Sequence, residues 1–365
     1  MLRLTAGALG GALAVGAAVA PAVGVAAPVG SAAVSVDRVP LRAVAAGGTR
    51  EGAARLPEGR SRWRVSGHAL LAVTWTGAAP TVELRLPGGR WEAWEPLADL
   101  GESSAVEGTE PQWVGSAGTV AVRVEGGNGT ARLTVIDPGA DPERQSAAGG
   151  RTAARTGRAA APKRAPRPEI HTRKDWGANE RWRNGKPRYN AKLKQVHIHH
   201  TAGTNDYKRK EVRGIIRAIY RYHTHTLGWS DIGYNFLVDR FGRAWVGRAG
   251  GAAKLVRGAH TLGFNHASTG IAVIGNFEDK SPRADVVTML VRLSAWKLDK
   301  AGLDPQGKIW VTSKGSDLFA KGERVKLPVI DGHRDTNQTA CPGQLLYDLL
   351  PDIRKRAAHR VDRFS

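Results

Sequence analysis

Val196-His197-Ile198-His199-His200-Thr201-Ala202-Gly203 reads as a β-strand that runs into a glycine turn. Side chains alternate along a strand, so Val196 and Ile198 share one face while His197 and His199 share the other. The apolar pair is expected to enter a core and the histidines to face a cleft. Working outward, residues 208–222 place Val212, Ile215, Ile216 and Ile219 at helical spacing. Residues 234–238 and 270–274 are apolar runs of strand length. Ser281-Pro282 predicts the start of a second helix, because serine suits the cap and proline the first turn. Val286, Val287, Leu290, Leu293 and Leu298 then form its inner face. A last helix is expected from Pro342, with Leu345, Leu346, Leu349, Leu350 and Ile353 turned inward. Helices alternating with strands imply an α/β fold, a central sheet covered by helices, over residues 169–356. Residues 357–365 read as a tail.

The chain has 365 residues, room for two modest domains and linkers. Residues 1–33 contain one charged residue, Arg3, followed by an apolar small-residue run to about residue 27. Ala18-Val19-Ala20 and Val25-Ala26-Ala27 are small-residue sites of the kind that end a secretory signal peptide. The run is mostly Ala, Gly and Val, weakly apolar for a membrane anchor. A secreted or wall-associated chain with no membrane span after processing is the expectation. Residues 34–60 read as a flexible lead-in. Residues 61–137 hold short alternating stretches, such as Leu70-Leu71-Ala72-Val73-Thr74-Trp75 and Thr119-Val120-Ala121-Val122-Arg123-Val124, with Gly-rich turns between them. They predict a small all-β, sandwich-like or jelly-roll domain. Trp63, Trp75, Trp91, Trp94 and Trp113 fall here. Core packing is the preferred reading, with stacking on sugar rings the alternative. Residues 138–168 read as a basic linker: from 144 to 168 there are seven basic residues and no acidic one.

The formal net charge of +21 favours anionic partners, anionic cell-wall polymers among them, and says nothing of fold. Cys341 is the only cysteine, so no internal disulfide can form. Gly332-His333-Arg334-Asp335 and Thr339-Ala340-Cys341-Pro342 join the His197–His200 cluster as the places where chemistry gathers. A catalytic zinc takes three protein ligands and keeps an open position, and His199, His333 and Cys341 supply that number. Binding would also shelter the unpaired thiol as a thiolate. By residue type and spacing alone, a structural set of histidines is an equal alternative. His223, His225, His260 and His266 have no forced role.

Ordered motifs then narrow the reading. Arg173-Lys174-Asp175-Trp176-Gly177-Ala178, His199-His200-Thr201-Ala202-Gly203 and Asp231-Ile232-Gly233-Tyr234-Asn235-Phe236-Leu237-Val238 come first. Gly258-Ala259-His260-Thr261-Leu262-Gly263-Phe264-Asn265, Gly270-Ile271-Ala272-Val273-Ile274-Gly275-Asn276-Phe277 and Gly332-His333-Arg334-Asp335 with Cys341-Pro342-Gly343 follow. Residues 169–356 resemble the N-acetylmuramoyl-L-alanine amidase and peptidoglycan recognition protein family, the type-2 amidase fold. The resemblance implies a mixed central sheet flanked by helices, with Zn2+ in a groove held by His199, His333 and Cys341. It implies Tyr234 and Thr339 as catalytic residues, Tyr234 lining the reaction site and Thr339 at a position that is Lys or Thr in active members. The implied reaction is hydrolysis of the amide between the lactyl group of N-acetylmuramic acid and L-Ala in peptidoglycan. The runner-up is a non-catalytic peptidoglycan-binding protein. His197 departs from a usually apolar position and is a candidate competing ligand or support. Ala249-Gly250-Gly251 stands where many relatives carry a groove tryptophan. Residues 61–168 resemble, in composition, the amino-terminal region of secreted actinobacterial amidases. Nothing resembles a nucleic-acid module. Asp331 and Asp335 flank His333, and one of them is expected to orient a ligand imidazole.

Overall fold

The computed structural model describes residues 34–35, 41–42, 51–97, 100–102, 104, 106–127, 130–139, 141 and 164–365. The expected export signal, much of the lead-in and most of the basic linker lie outside the described residues.

The Gln195–His200 strand is buried along its whole length, between two parallel neighbours, Ser268–Val273 and Ile330–Gly332. Phe236–Val238 adds on in parallel, Ala244–Val246 pairs antiparallel to it, and Ile170–His171 closes the edge. The result is a mixed six-stranded sheet. Val196, Ile198, Phe236, Val238, Ile271 and Val273 pack under the helices Ala284–Lys300 and Leu350–Asp362. Leu237, Trp245 and Ala272 pack on the other side with Ile215, Ile216 and Ile219 of the helix Val212–Arg221. The alternation read from residues 196–199 is therefore the alternation of the fold.

Ahead of this sheet lies a largely antiparallel one, built around the long strand Gly59–Trp75. That strand pairs with Gln112–Glu125 along one edge and, through its last third, with Arg132–Ile136 along the other. Register shifts between Val65 and His68 and between Ala69 and Leu70 bend it. Leu71 and Val73 join Trp63, Trp75, Val122 and Leu133 in one core. Leu70 and Ala72, on the opposite face, join Trp113, Ile136, Ile215 and Ile219 in another. This stretch is a continuous apolar run because both of its faces are covered.

Several boundaries differ from expectation. Val34–Ser35, Leu41–Arg42 and Glu51–Arg55, inside the segment read as flexible, are strands of the N-terminal sheet. The second helix starts at Ala284, not at Ser281-Pro282, with Arg283 in the cap position and no side-chain cap bond. The helix expected from Pro342 is two pieces, Gln344–Tyr347 and Leu350–Asp362. Its second piece runs into the residues read as a tail, and Val361 and Phe364 pack on the core. The last linker residues are also tied down: Ala165 is buried and its N–H donates to Asp299.

Arg217 joins the two sheets. Its buried guanidinium donates to the carbonyls of Pro138, at the end of the N-terminal sheet, and of Trp176, both at 2.8 Å, and pairs with Asp141 at 2.5 Å. Hydrogen bonds to a charged group are each worth about 1.5–3 kcal/mol. Arg217→Met should lower the stability of the chain by about 2–3 kcal/mol, read as a shift of the urea midpoint. An unchanged midpoint would show that this junction carries no weight.

Candidate metal centre

Parallel pairing sets Ile198 beside Gly332, so the following residues, His199 and His333, emerge side by side at the carboxyl ends of neighbouring strands. Such strand ends are where open α/β sheets place their ligands. His333 opens a single 3-10 turn, His333–Asp335. The chain then loops back, and the N–H of Arg334 donates to the Cys341 carbonyl at 3.0 Å. Two glycines permit the close packing. A Cβ on Gly332 would come within 2.9 Å of Pro342 Cδ, and one on Gly343, at φ +86°, within 2.4 Å of the Phe277 carbonyl carbon.

One donor atom from each of His199, His333 and Cys341 lies within 4.8 Å of the other two. This is a separation that one metal ion can bridge. The two imidazole rings are 4.6 Å apart, and His199 Nδ1 is 3.7 Å from Cys341 Sγ. His333 Nε2 is buried without a hydrogen-bond partner. The His200 N–H donates to Sγ at 3.3 Å, a contact that favours a sulfur anion. Burial, with the neighbouring histidines, holds His199 well below the usual imidazole range and His333 at about 3, so both rings are neutral, as metal ligation requires. Burial pushes the Cys341 thiol up, and a nearby cation is what would reverse that.

His260 supports one member of this triad in a way its place in the sequence does not suggest. Its Nδ1 is 3.1 Å from His199 Nε2, so His199 can turn Nδ1 towards the sulfur while its other nitrogen is held. Gly270 makes room for it, since a Cβ there would lie 2.4 Å from His260 Cγ. His197 stays out of the triad: it is fully buried, with Nδ1 2.7 Å from Asp331 Oδ1. The expectation that Asp331 or Asp335 orients a ligand imidazole is corrected. Asp331 faces His197 and accepts from Gln195, whereas Asp335 accepts the Gly332 N–H and the Tyr347 hydroxyl.

Tyr234 is 2% exposed, with its ring 5.6 Å from that of His199. Burial, with the charges of Glu110, Cys341 and Glu95, holds its phenol protonated. Thr339 Oγ1 accepts the Cys341 N–H at 3.2 Å, which leaves its own proton free to donate. Three carboxylates reach the region from the N-terminal sheet, and sequence reasoning found none of them. Glu95 Oε2 lies 3.4 Å from His200 Nε2. Glu110 follows it in space, its N–H donating to the Glu95 carbonyl at 2.8 Å, and desolvation together with Glu95 raises its carboxyl well above the ordinary value. Glu102 accepts from the Ser230 N–H and hydroxyl, both at 2.6 Å, and pairs with Arg248. Arg248 in turn donates its N–H to the Tyr234 carbonyl at 3.0 Å.

Residues 189–344, which include all three donors, Tyr234 and Thr339, match the Amidase_2 family, described as N-acetylmuramoyl-L-alanine amidase. These residues form a domain of that family. Peptidoglycan-recognition protein SC2 of Drosophila simulans is 29% identical over 181 residues, which are 49% of this chain and 83% of that protein. The human N-acetylmuramoyl-L-alanine amidase is 31% identical over 211 residues, 54% of this chain and 32% of its own length. Among solved structures, Drosophila PGRP-LB aligns at 26% identity and a TM-score of 0.39, covering 49% of this chain and 91% of that one. The N-terminal sheet lies outside the region matched to the amidase family.

The neutral histidines of this domain make stability depend on pH. Burial holds His223, which accepts the Gly233 N–H, at about 3, and His333 likewise, against 6.5 for an ordinary imidazole. Below pH 6.5 the unfolded chain binds protons that the folded chain refuses. Their contribution is therefore complete above that pH and drains away as pH falls towards 3. Urea midpoints should decline steadily from pH 7 to about pH 5. A flat or rising profile would contradict the neutral assignment.

Proposed function

We propose that the chain is a zinc-dependent N-acetylmuramoyl-L-alanine amidase that is exported and works at the cell wall. The observation that carries this reading is the convergence of His199, His333 and Cys341 within a domain of the amidase family. The leader-like composition of residues 1–33 supports export, and no helix of the described residues is long and apolar enough to cross a membrane.

The donor set fits zinc: two neutral imidazoles, a buried thiol that already accepts an N–H bond, and a ligand nitrogen with no other partner. Zinc bound there supplies a Lewis acid that brings the pKa of water down to about 7 and polarises a carbonyl. The protein's own groups do the rest. Tyr234, kept neutral by its surroundings, is able to donate a hydrogen bond to the oxygen that gains charge as the amide carbon becomes tetrahedral. Thr339 holds Cys341 in place through its oxygen and offers its hydroxyl proton to the same oxyanion. His260 fixes the orientation of His199. The low exposure of Tyr234, His199 and His333 keeps bulk water from screening these contacts.

Digestion of purified peptidoglycan tests the reading. An amidase releases L-Ala amino termini and creates no new reducing sugar ends. Tyr234→Phe should keep zinc and lose about 10²–10³ in rate, the usual cost of one oxyanion donor. Cuts confined to the stem would indicate a peptidase. Sedimentation with wall material and no release would indicate a passive binder. Either result overturns the proposal.

A further inference from the structure

The five tryptophans of the N-terminal sheet do not share one role. Trp63, Trp75, Trp94 and Trp113 are each less than 5% exposed and pack into the cores. Trp91 is half-buried and lines a cleft of about 730 Å³ between the N-terminal sheet and the amidase-family domain. Arg85 and Arg123 place their guanidinium carbons 5.1 and 4.9 Å from its ring centre, and Arg123 is held by Glu83 at 2.8 Å, so the indole is braced. Leu84 and Leu86 continue the apolar surface beside it.

The cleft adjoins the metal centre. Its far wall includes Ala202 and Gly203, the turn that leaves the His199 strand, and Gln112 Nε2 donates to the Ala202 carbonyl across the junction at 2.6 Å. Glu95 belongs to both places, lining the cleft while its Oε2 faces His200.

The charge of the cleft selects among ligands. The chain as a whole carries +21, yet around this cleft the charges balance: Glu83, Glu92, Glu95, Glu278 and Asp279 face Arg90, Lys280 and the Arg60, Arg85 and Arg123 guanidiniums gathered about Trp91, and Arg90 lies 3.6 Å from Glu92 and 3.7 Å from Asp279. A polyanion, whether nucleic acid or an acidic wall polymer, meets no net positive charge there. A neutral, hydroxyl-rich chain with apolar ring faces is suited to a charge-balanced lining of this kind: the indole and Leu86 meet C–H faces, the carboxylates accept hydroxyl protons, and the guanidiniums donate to hydroxyl oxygens. We propose that this cleft is a subsite for the neutral N-acetylated glycan strand of the substrate, extending the amidase-family site onto the N-terminal sheet. The proposal rests on the amidase reading for the identity of the polymer.

A chitin oligosaccharide tests it, because this is a neutral N-acetylglucosamine chain with no scissile amide. The outcome therefore does not depend on hydrolysis, and failure of the amide-release assay is distinguishable from failure here. With the full zinc-loaded chain, the oligosaccharide should slow amide hydrogen exchange in segments 89–95 and 276–280, whereas polyglutamate should not. Trp91→Ala should weaken oligosaccharide binding about tenfold, equivalent to about 1.4 kcal/mol. Trp310→Ala removes a 50%-exposed indole on another hairpin and should bind like the wild-type chain. Protection absent from both segments in the wild-type chain, or equal binding by Trp91→Ala and wild type, would overturn the proposal.

Discussion

A single strand, fully buried and paired on both sides, sets the geometry on which the rest of this molecule depends. Because residues of Gln195–His200 alternate between two faces, Val196 and Ile198 anchor it under two helices. His199 is thereby committed to the opposite side, at the strand's carboxyl end. Parallel pairing with Ile330–Gly332 then places His333 beside it, without any loop having to search for the position. Only Cys341 arrives by a loop, and that loop is closed by its own hydrogen bonds and by glycines that allow contact with the sheet.

Burial is what gives these three side chains their chemistry. In water, two imidazoles and a thiol are unremarkable partners. Here the rings are held neutral, with lone pairs available to a metal, and the thiol resists ionisation, a shift that a bound cation would reverse. The surrounding groups act in the same direction: His260 holds one ligand, the His200 N–H faces the sulfur, and Tyr234 stays protonated. The N-terminal sheet contributes the outer wall. Its Glu95, Glu102 and Glu110 project towards a domain whose family match does not include them.

Much of this was legible in the residues. The alternation in residues 196–199, the helical spacing of Ile215 and Ile219, and the isolation of Cys341 are local patterns, and local patterns survive folding. Helix starts were less legible. Ser281-Pro282 has the chemistry of a cap, but the helix begins at Ala284, where packing of Val286 and Val287 against the sheet decides. His260 was unreadable as a partner of His199, because the two are 61 residues apart and their contact depends on a bare glycine at position 270. The roles of Glu95 and Glu110 depend on how two sheets pack, and a pattern within either segment carries no record of that. Trp91 and Trp94 differ in exposure, a property of the assembled cleft.

The proposed amidase requires one zinc ion between His199, His333 and Cys341. X-ray absorption at the zinc edge of the purified full chain tests it most directly. One zinc per chain is expected, with one sulfur at about 2.3 Å and light-atom neighbours at about 2.0–2.1 Å, and loss of the sulfur shell in Cys341→Ser. A chain that takes up no zinc, or a zinc spectrum without sulfur in the wild-type protein, would contradict it.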